Sequence, residues 1–235
     1  MARMAAVSTG AGVMKVIRAS IRKDLLIEWR PQLRIVSLTA SAVLVLLLFS
    51  FAVGPHTESL RRHASGYLWL GVIFASTMLV QQSMRTEVES DAMTQLQLVP
   101  VSSTALFYGK AIACFFQLLL ISLAMLPPLF ALCDLQLTES IGWLVLVLFL
   151  GNAGIAAPGA LYSAMTARMN AQQLLIPLLL YPLLVPALLS AVKSTSLILS
   201  GDPMGQLSSW LGLLFCFNLV FWSVCGILYG RVIDR

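Results

Sequence analysis

Charge is scarce in this chain. Only 11% of its 235 residues are Asp, Glu, Lys or Arg, and long stretches contain none. Histidine occurs twice, at His56 and His63. The four cysteines, Cys114, Cys133, Cys216 and Cys225, form no CxxC pair and no Cys/His ligand spacing. Zinc and dithiol chemistry therefore have no footing, no metal site is expected, and each thiol reads as a small buried hydrophobe. A P-loop needs GxxxxGK[ST], but Gly109-Lys110 has Thr104 where the first glycine belongs, so ATP phosphates cannot be cradled here. HExxH and GxSxG are missing as well. The chain is not expected to be an enzyme, and no catalytic residue is assigned.

What fills the sequence instead is apolar. Hydrophobic residues make up 59% of it, and mean hydropathy is +0.89. Six uncharged runs cover Ile35–Gly54, Ser65–Gln82, Ala111–Cys133, Ile141–Met165, Gln172–Val192 and Ser208–Gly230. About 20 apolar residues of helix cross a ~30 Å hydrocarbon core, so each run is long enough. Backbone polar groups in lipid must be satisfied within helices or a closed barrel, and continuous runs lack a barrel's alternation. The expected fold class is an all-α membrane protein with six transmembrane helices. Too little chain remains for a globular extramembrane domain, so any catalytic domain belongs to another polypeptide.

The net charge of +5 would suggest nucleic acid in a soluble protein, but its distribution points to lipid instead. Arg3, Lys15, Arg18, Arg22, Lys23, Arg30, Arg34, Arg85, Lys110, Arg168, Arg231 and Arg235 fall on one side of the expected spans. Only Arg61, Arg62 and Lys193 fall on the other. A twelve-to-three split places both termini in the cytoplasm by the positive-inside rule. Pro55–Ala64, Asp134–Ser140 and Lys193–Gln206 are then the outward connections. No ionisable residue is expected mid-span, which argues against a proton relay. The buried polar set is expected to be limited to groups such as Gln117, Asn152 and Asn218, read as interhelical hydrogen-bond partners.

Several segments carry local signals. Residues 1–12 are expected to be a disordered leader, lacking the apolar core of a cleavable signal peptide. Within 13–34, Met14, Ile17, Ile21, Leu25 and Trp29 recur every three or four positions beside basic residues, predicting an amphipathic helix in the membrane interface that ends at Pro31. It serves either as a topology anchor or as an elbow bracing the bundle. The connection 83–110 is acidic through Glu87, Glu89 and Asp91, and continues through Gln95 to Pro100. Ser102 and Ser103 suit the cap of the next helix. This connection reads as either a solvated helical hairpin or a docking element for a cytoplasmic partner. Gly154, Pro158 and Gly159 crowd the fourth span, while Pro177, Pro182 and Pro186 punctuate the fifth. Small residues allow close helix approach, and repeated prolines imply kinks or local unwinding. Gly226 and Gly230 form a GxxxG match in the sixth span, a pattern that can serve helix packing or a dimer face. His56 and His63 flank Arg61 and Arg62 in a short connection, where they are either simply solvated or placed to meet an anionic porphyrin.

Together these residues resemble the haem exporter B (CcmB) family, the membrane subunit of the ABC-type complex in cytochrome c maturation. The match is carried by RTEVESDAMTQLQLVP (Arg85–Pro100), GIAAPGALYSAM in the fourth span and QQLLIPLLLYPLLVPAL in the fifth, and extends from about Ile17 onward. One departure is Ala92, where family members usually carry a glycine after the last acid of the loop. The resemblance implies a six-helix ABC type-2 permease in the bacterial inner membrane, with haem as cargo and ATP bound only by a partner ATPase, CcmA. It further implies CcmC and the small CcmD as membrane neighbours and CcmE as the periplasmic haem chaperone. It makes Arg85, Glu87, Glu89, Asp91, Gln95 and Pro100 the ATPase-coupling residues. A scaffold that anchors other subunits without transporting, and a lone facilitator channel, are the rival readings; the channel suffers from the shortage of polar residues to line a pore.

Overall fold

The computed structural model describes residues 32–54, 57–89, 103–134, 141–166, 172–202 and 204–233. Six helices occupy nearly all of them: α1 (Gln32–Val53), α2 (Thr57–Glu89), α3 (Ser103–Cys133), α4 (Ile141–Thr166), α5 (Gln172–Ser200) and α6 (Leu207–Ile233). All six contain stretches long and apolar enough to cross a membrane. The all-α membrane fold expected from the uncharged runs is therefore present. The leader and residues 13–31 of the amphipathic segment expected at 13–34 lie outside the described residues, as do His56, Asp91, Gln95 and Pro100, while residues 32–34 open α1.

The helices are longer than the runs of uncharged residues suggest. α2 begins at Thr57, so Arg61, Arg62 and His63 belong to its first two turns rather than to a loop. It also continues through Arg85, Glu87 and Glu89, while α3 starts at Ser103, which cuts the connection read as 83–110 to residues 90–102. Lys110 is buried inside α3 rather than lying in that connection. At the other boundary α5 runs to Ser200, placing Lys193 within the helix. In each case a helix propagates through charged residues because every added residue gains one backbone hydrogen bond, and ends only where the backbone turns. Gly54 provides one such turn with φ +80° and an N–H bond to the Phe51 carbonyl at 3.2 Å.

Short connections make sequential helices antiparallel. The helix ends Val53, Thr57, Cys133, Ile141, Ser200 and Leu207 mark one end of the bundle, here the far side. Glu89, Ser103, Thr166 and Gln172 mark the opposite end with Gln32 and Ile233, the termini side.

α4 is the centre of the arrangement. It packs against α2, α3, α5 and α6, whereas the main contacts of α1 are with α2 and α3. Accordingly, 78% of the apolar stretch of α4 is buried, against 22% for α1. Every residue from Gly151 to Leu161 is buried, on all faces of the helix. Small side chains make this possible, because a thin helix lets four neighbours approach its backbone together.

Candidate functional site

The residues that bind the other helices to α4 form a belt through the middle of the bundle. Asn152 lies at its core: the Ser122 hydroxyl on α3 donates to Asn152 Oδ1 at 3.0 Å, and Asn152 Nδ2 donates to the Leu148 carbonyl at 2.8 Å. From α6, Asn218 Nδ2 donates to the Leu150 carbonyl of α4 at 2.9 Å. One turn further on, Trp222 Nε1 donates to the Ala153 carbonyl at 3.1 Å. Asn152 and Asn218 thus make the interhelical bonds expected of them, while Gln117 is buried on α3.

Trp69 of α2 ties a third helix into this belt. Its ring lies over Gly151, where even one added carbon would fall on the indole. Its Nε1 then reaches past α4 to donate to Thr195 Oγ1 of α5 at 2.9 Å. Two turns along, Thr77 of α2 and Tyr181 of α5 share a hydrogen bond of 3.0 Å. Val80 packs against Gly159, with only 3.0 Å left for a side chain there. α2 is thus fixed to both α4 and α5 at three levels.

The glycines and prolines divide by position. Gly154 is buried among Ala187, Phe217 and Asn218, and Pro158 is buried beside Gly159. Gly226 meets Tyr108 of α3, so this half of the GxxxG match packs within the chain, while Gly230 is half-buried one turn on. α5 remains one helix of 29 residues through Pro177, Pro182 and Pro186, without the unwinding that repeated prolines suggested. Pro182 and Pro186 are both exposed.

Two further groups mark the far-side rim. Arg61 donates through Nε to the Cys133 carbonyl at 3.3 Å and through Nη2 to the Asp134 carbonyl at 2.6 Å, and it pairs with Asp134 Oδ2 at 2.8 Å. It thereby caps the end of α3, where carbonyls lack helical partners and the helix dipole is negative. Asp134 takes φ 46°, the left-handed turn that often ends a helix. His63 is exposed, with Nδ1 2.8 Å from the Ser59 carbonyl of the same helix. No cluster of metal-ligating side chains occurs among the described residues.

On the termini side, α2 extends seven residues beyond Gln82 to Glu89, about 10 Å at 1.5 Å per residue. It carries Arg85, Glu87 and Glu89 out of the apolar zone. Three of the six residues expected to couple to an ATPase thus lie on the same helix as the second span, while Asp91, Gln95 and Pro100 lie outside the described residues.

Sequence reasoning missed Trp69, Thr195 and Trp222. The available signal was a tryptophan well inside a span, away from the interfacial belts where the residue usually collects.

The CcmB protein family model matches residues 15–227. Heme exporter protein B of Rhodobacter capsulatus is 31% identical over 147 residues, covering 63% of this chain and 67% of that protein. The Pseudomonas aeruginosa protein of that name is 29% identical over 176 residues, covering 75% and 78%. Its Haemophilus influenzae counterpart is 31% identical over 174 residues, covering 73% and 77%. With six spanning helices and a family match over most of its length, this chain belongs to the CcmB family.

Proposed function

We propose that this chain is the permease subunit of an ABC-type haem-export complex of the bacterial inner membrane, with both termini in the cytoplasm. The observation that carries this reading is the family match from residue 15 to 227. In this reading the chain has no ATP site. A partner ATPase of the CcmA kind hydrolyses ATP beneath the membrane, and CcmC-like and CcmD-like subunits stand beside it. The outcome is delivery of haem to a periplasmic chaperone of the CcmE kind.

The geometry suggests how force would enter. α2 is a 33-residue helix, about 50 Å long, and longer than the bilayer core. Its projecting end carries Arg85, Glu87 and Glu89. Its body is bonded to α5 at Thr195 and Tyr181 and packed on α4 at Gly151 and Gly159. A displacement at residues 83–89 therefore reaches the centre of the bundle through one rigid element.

The test is co-purification with the partner ATPase, followed by ATPase assays with and without this chain. Replacing Glu87 and Asp91 by Lys together should weaken recovery of the ATPase while the bundle stays folded. Normal recovery and normal haem delivery would remove the segment from coupling. Haem should pass without an imidazole ligand from this chain, so the His56→Ala, His63→Ala double variant should still support maturation of c-type cytochromes. Loss of maturation with assembly and ATPase activity intact would assign haem ligation to the far-side rim.

One observation favours the scaffold alternative. Asn152, Asn218, Trp69 and Thr195 are engaged with other helices instead of facing a shared passage. A subunit built this way could couple ATPase and haem-handling partners without conducting haem itself. Haem photocrosslinking to the walls of α4 would count against it.

A further inference from the structure

Two polar atoms inside the bundle, one a donor and one an acceptor, each want the other's kind. Among the described residues, Ser194 Oγ on α5 and Asn218 Oδ1 on α6 are the buried side-chain polar atoms without a hydrogen bond. Ser194 is 0% exposed and Asn218 8%. Comparable groups nearby are satisfied. Ser190 and Thr195 each donate to the carbonyl four residues back at 2.8 Å, and Asn152 Oδ1 accepts from Ser122. Turning the Asn218 amide over is no remedy. Its Nδ2 already donates to the Leu150 and Leu214 carbonyls, both at 2.9 Å, and an oxygen in that place would face two acceptors. Burying either group dry carries a desolvation cost.

Both atoms belong to one seam. Beside Gly154 of α4, Ala187 of α5 and Asn218 of α6 lie level: a Cβ added there would stand 3.6 Å from Ala187 Cβ and 3.7 Å from Asn218 Nδ2. At about 100° per residue, Ser194 and Ser190 lie about 20° and 60° to one side of Ala187, with Thr195 and Tyr181 about 80° and 120° to the other. Thr195 and Tyr181 bond to α2. Since α5 packs on α2, α4 and α6, the two serines take the α6 side. Along the helix, Ser190 and Ser194 stand three and seven residues beyond Ala187, about 4.5 and 10.5 Å. One water bridging two polar atoms spans about 5.5 Å, at about 2.8 Å per bond. Ser190 thus divides the path from Asn218 to Ser194 into two steps, each near the reach of a single water. Ala187 and Ala191, both buried, complete a face of small side chains with room for them.

We propose that the α5–α6 seam binds two buried waters in file. The first donates to Asn218 Oδ1 and to one lone pair of Ser190 Oγ. The second accepts from the Ser194 hydroxyl and donates to the other lone pair of Ser190, whose own proton is committed to the Pro186 carbonyl. Each water then has two polar partners, enough to hold it in a core. The consequence is a difference between joints. Ser122 and Asn152 join α3 to α4 directly, so those helices cannot shift without losing the bond. A water-bridged contact re-forms in a new geometry, so α5 and α6 can move against each other with their polar groups still satisfied. The inference rests on these side chains alone and stands whether or not haem is the cargo.

The test is X-ray radiolysis of the intact complex in lipid nanodiscs. Short pulses split bound water into hydroxyl radicals that oxidise the adjacent side chains, and mass spectrometry reads each site. Phe217, whose Cδ1 lies 3.6 Å from the same added Cβ at Gly154, reports on the seam. Phe115 is the reference, because the two are almost equally buried, at 8% and 6% exposure. We expect Phe217 to be oxidised several-fold faster than Phe115, and Ser190→Ala, which removes the post shared by both waters, to bring it down to the reference rate. A second measurement reads the sign of a stability change. Ser194→Ala should lower the thermal midpoint in detergent by about 2–4 °C, the scale of one lost hydrogen bond in a chain of this length. A dry hydroxyl would give the opposite sign, since deleting an unsatisfied buried group relieves its desolvation cost. Equal oxidation of the two phenylalanines would overturn the proposal. So would an unchanged rate at Phe217 in Ser190→Ala, or a midpoint that Ser194→Ala raises or leaves in place.

Discussion

Pro158 on α4 and Pro186 on α5 both interrupt the hydrogen-bond ladder of a spanning helix, yet their surroundings are opposite. Around Pro158 every residue from Gly151 to Leu161 is buried, and small side chains hold four other helices close. Around Pro186, by contrast, Pro182 and Val185 are exposed, as Pro186 itself is. The covalent consequence is the same in both helices, a carbonyl four residues earlier without its donor. What differs is who covers it. In α4 the chain itself does, which makes the segment structural; in α5 the described residues leave that ridge exposed. A proline-rich span is thus read by the burial of its ridge more than by the count of its prolines.

If that contrast is right, stability should be concentrated along the inward segment of α4. The largest loss is expected for Gly151→Ala, because the added methyl falls on a buried indole held by Thr195. Overpacking a tight core costs about 1–3 kcal/mol and sometimes more. Thermal unfolding in detergent would measure it, with Gly142→Ala as the control, since Gly142 has open space around it. A smaller side chain at position 69, in the Trp69→Leu, Gly151→Ala pair, should recover part of the loss as a non-additive term. Equal stability of the two alanine variants would break the comparison.

A smaller effect is expected at Asn152→Leu, which removes the bond to Ser122 and leaves that hydroxyl its own helix's Leu118 carbonyl. Interhelical hydrogen bonds in membranes average about 0.6 kcal/mol and reach about 1.7 kcal/mol, so a loss of about 1 kcal/mol is expected by the same unfolding measurement. Val185→Ala, on the outward ridge, should leave the isolated chain unchanged. Smaller again is Arg61→Gln at the rim. Its ion pair with Asp134 is largely solvent-exposed, and such pairs contribute about 0.2–1 kcal/mol and weaken with salt. We expect the difference from wild type to shrink as ionic strength rises, and a salt-independent difference would assign the effect to the capped carbonyls of α3 instead.

The spans and their order were legible because lipid imposes a crude rule on composition: about 20 residues without charge. Helix ends were not, because that rule concerns the bilayer and not the helix. Arg61, Lys110 and Lys193 were assigned to connections by charge alone, whereas all three are helical. Asn152 and Asn218 were recognisable as interhelical partners, since a polar amide in a span has few alternatives. Trp69 was not, since its role depends on Gly151 lying opposite it, and no periodicity within one helix reveals a pairing between two. The burial of GIAAPGAL and the exposure of Pro182 and Pro186 were equally hidden. Both segments are apolar on every face, so neither has a polar side to orient it.

The smallest expected effect lies at the far-side end of α6, and it limits how far the inward-outward contrast extends. Asp202 accepts hydrogen bonds from the backbone N–H groups of Leu207 at 2.8 Å and Gln206 at 2.9 Å. These bonds favour its charged form and hold its carboxyl below the ordinary value of 3.8. Its stabilisation is therefore fully present above that value and is lost as pH falls through the lower value it has in the folded chain. The group is exposed, so the bundle should not notice: Asp202→Ala should leave the thermal midpoint unchanged while lowering amide protection at Gln206 and Leu207 at neutral pH. In the wild-type chain the same loss of protection, corrected for intrinsic exchange, should emerge only at acid pH below 3.8. Should Asp202→Ala instead lower the midpoint as much as Gly151→Ala, the end of α6 would be as integral to the fold as the centre of α4, and burial would no longer rank the two regions.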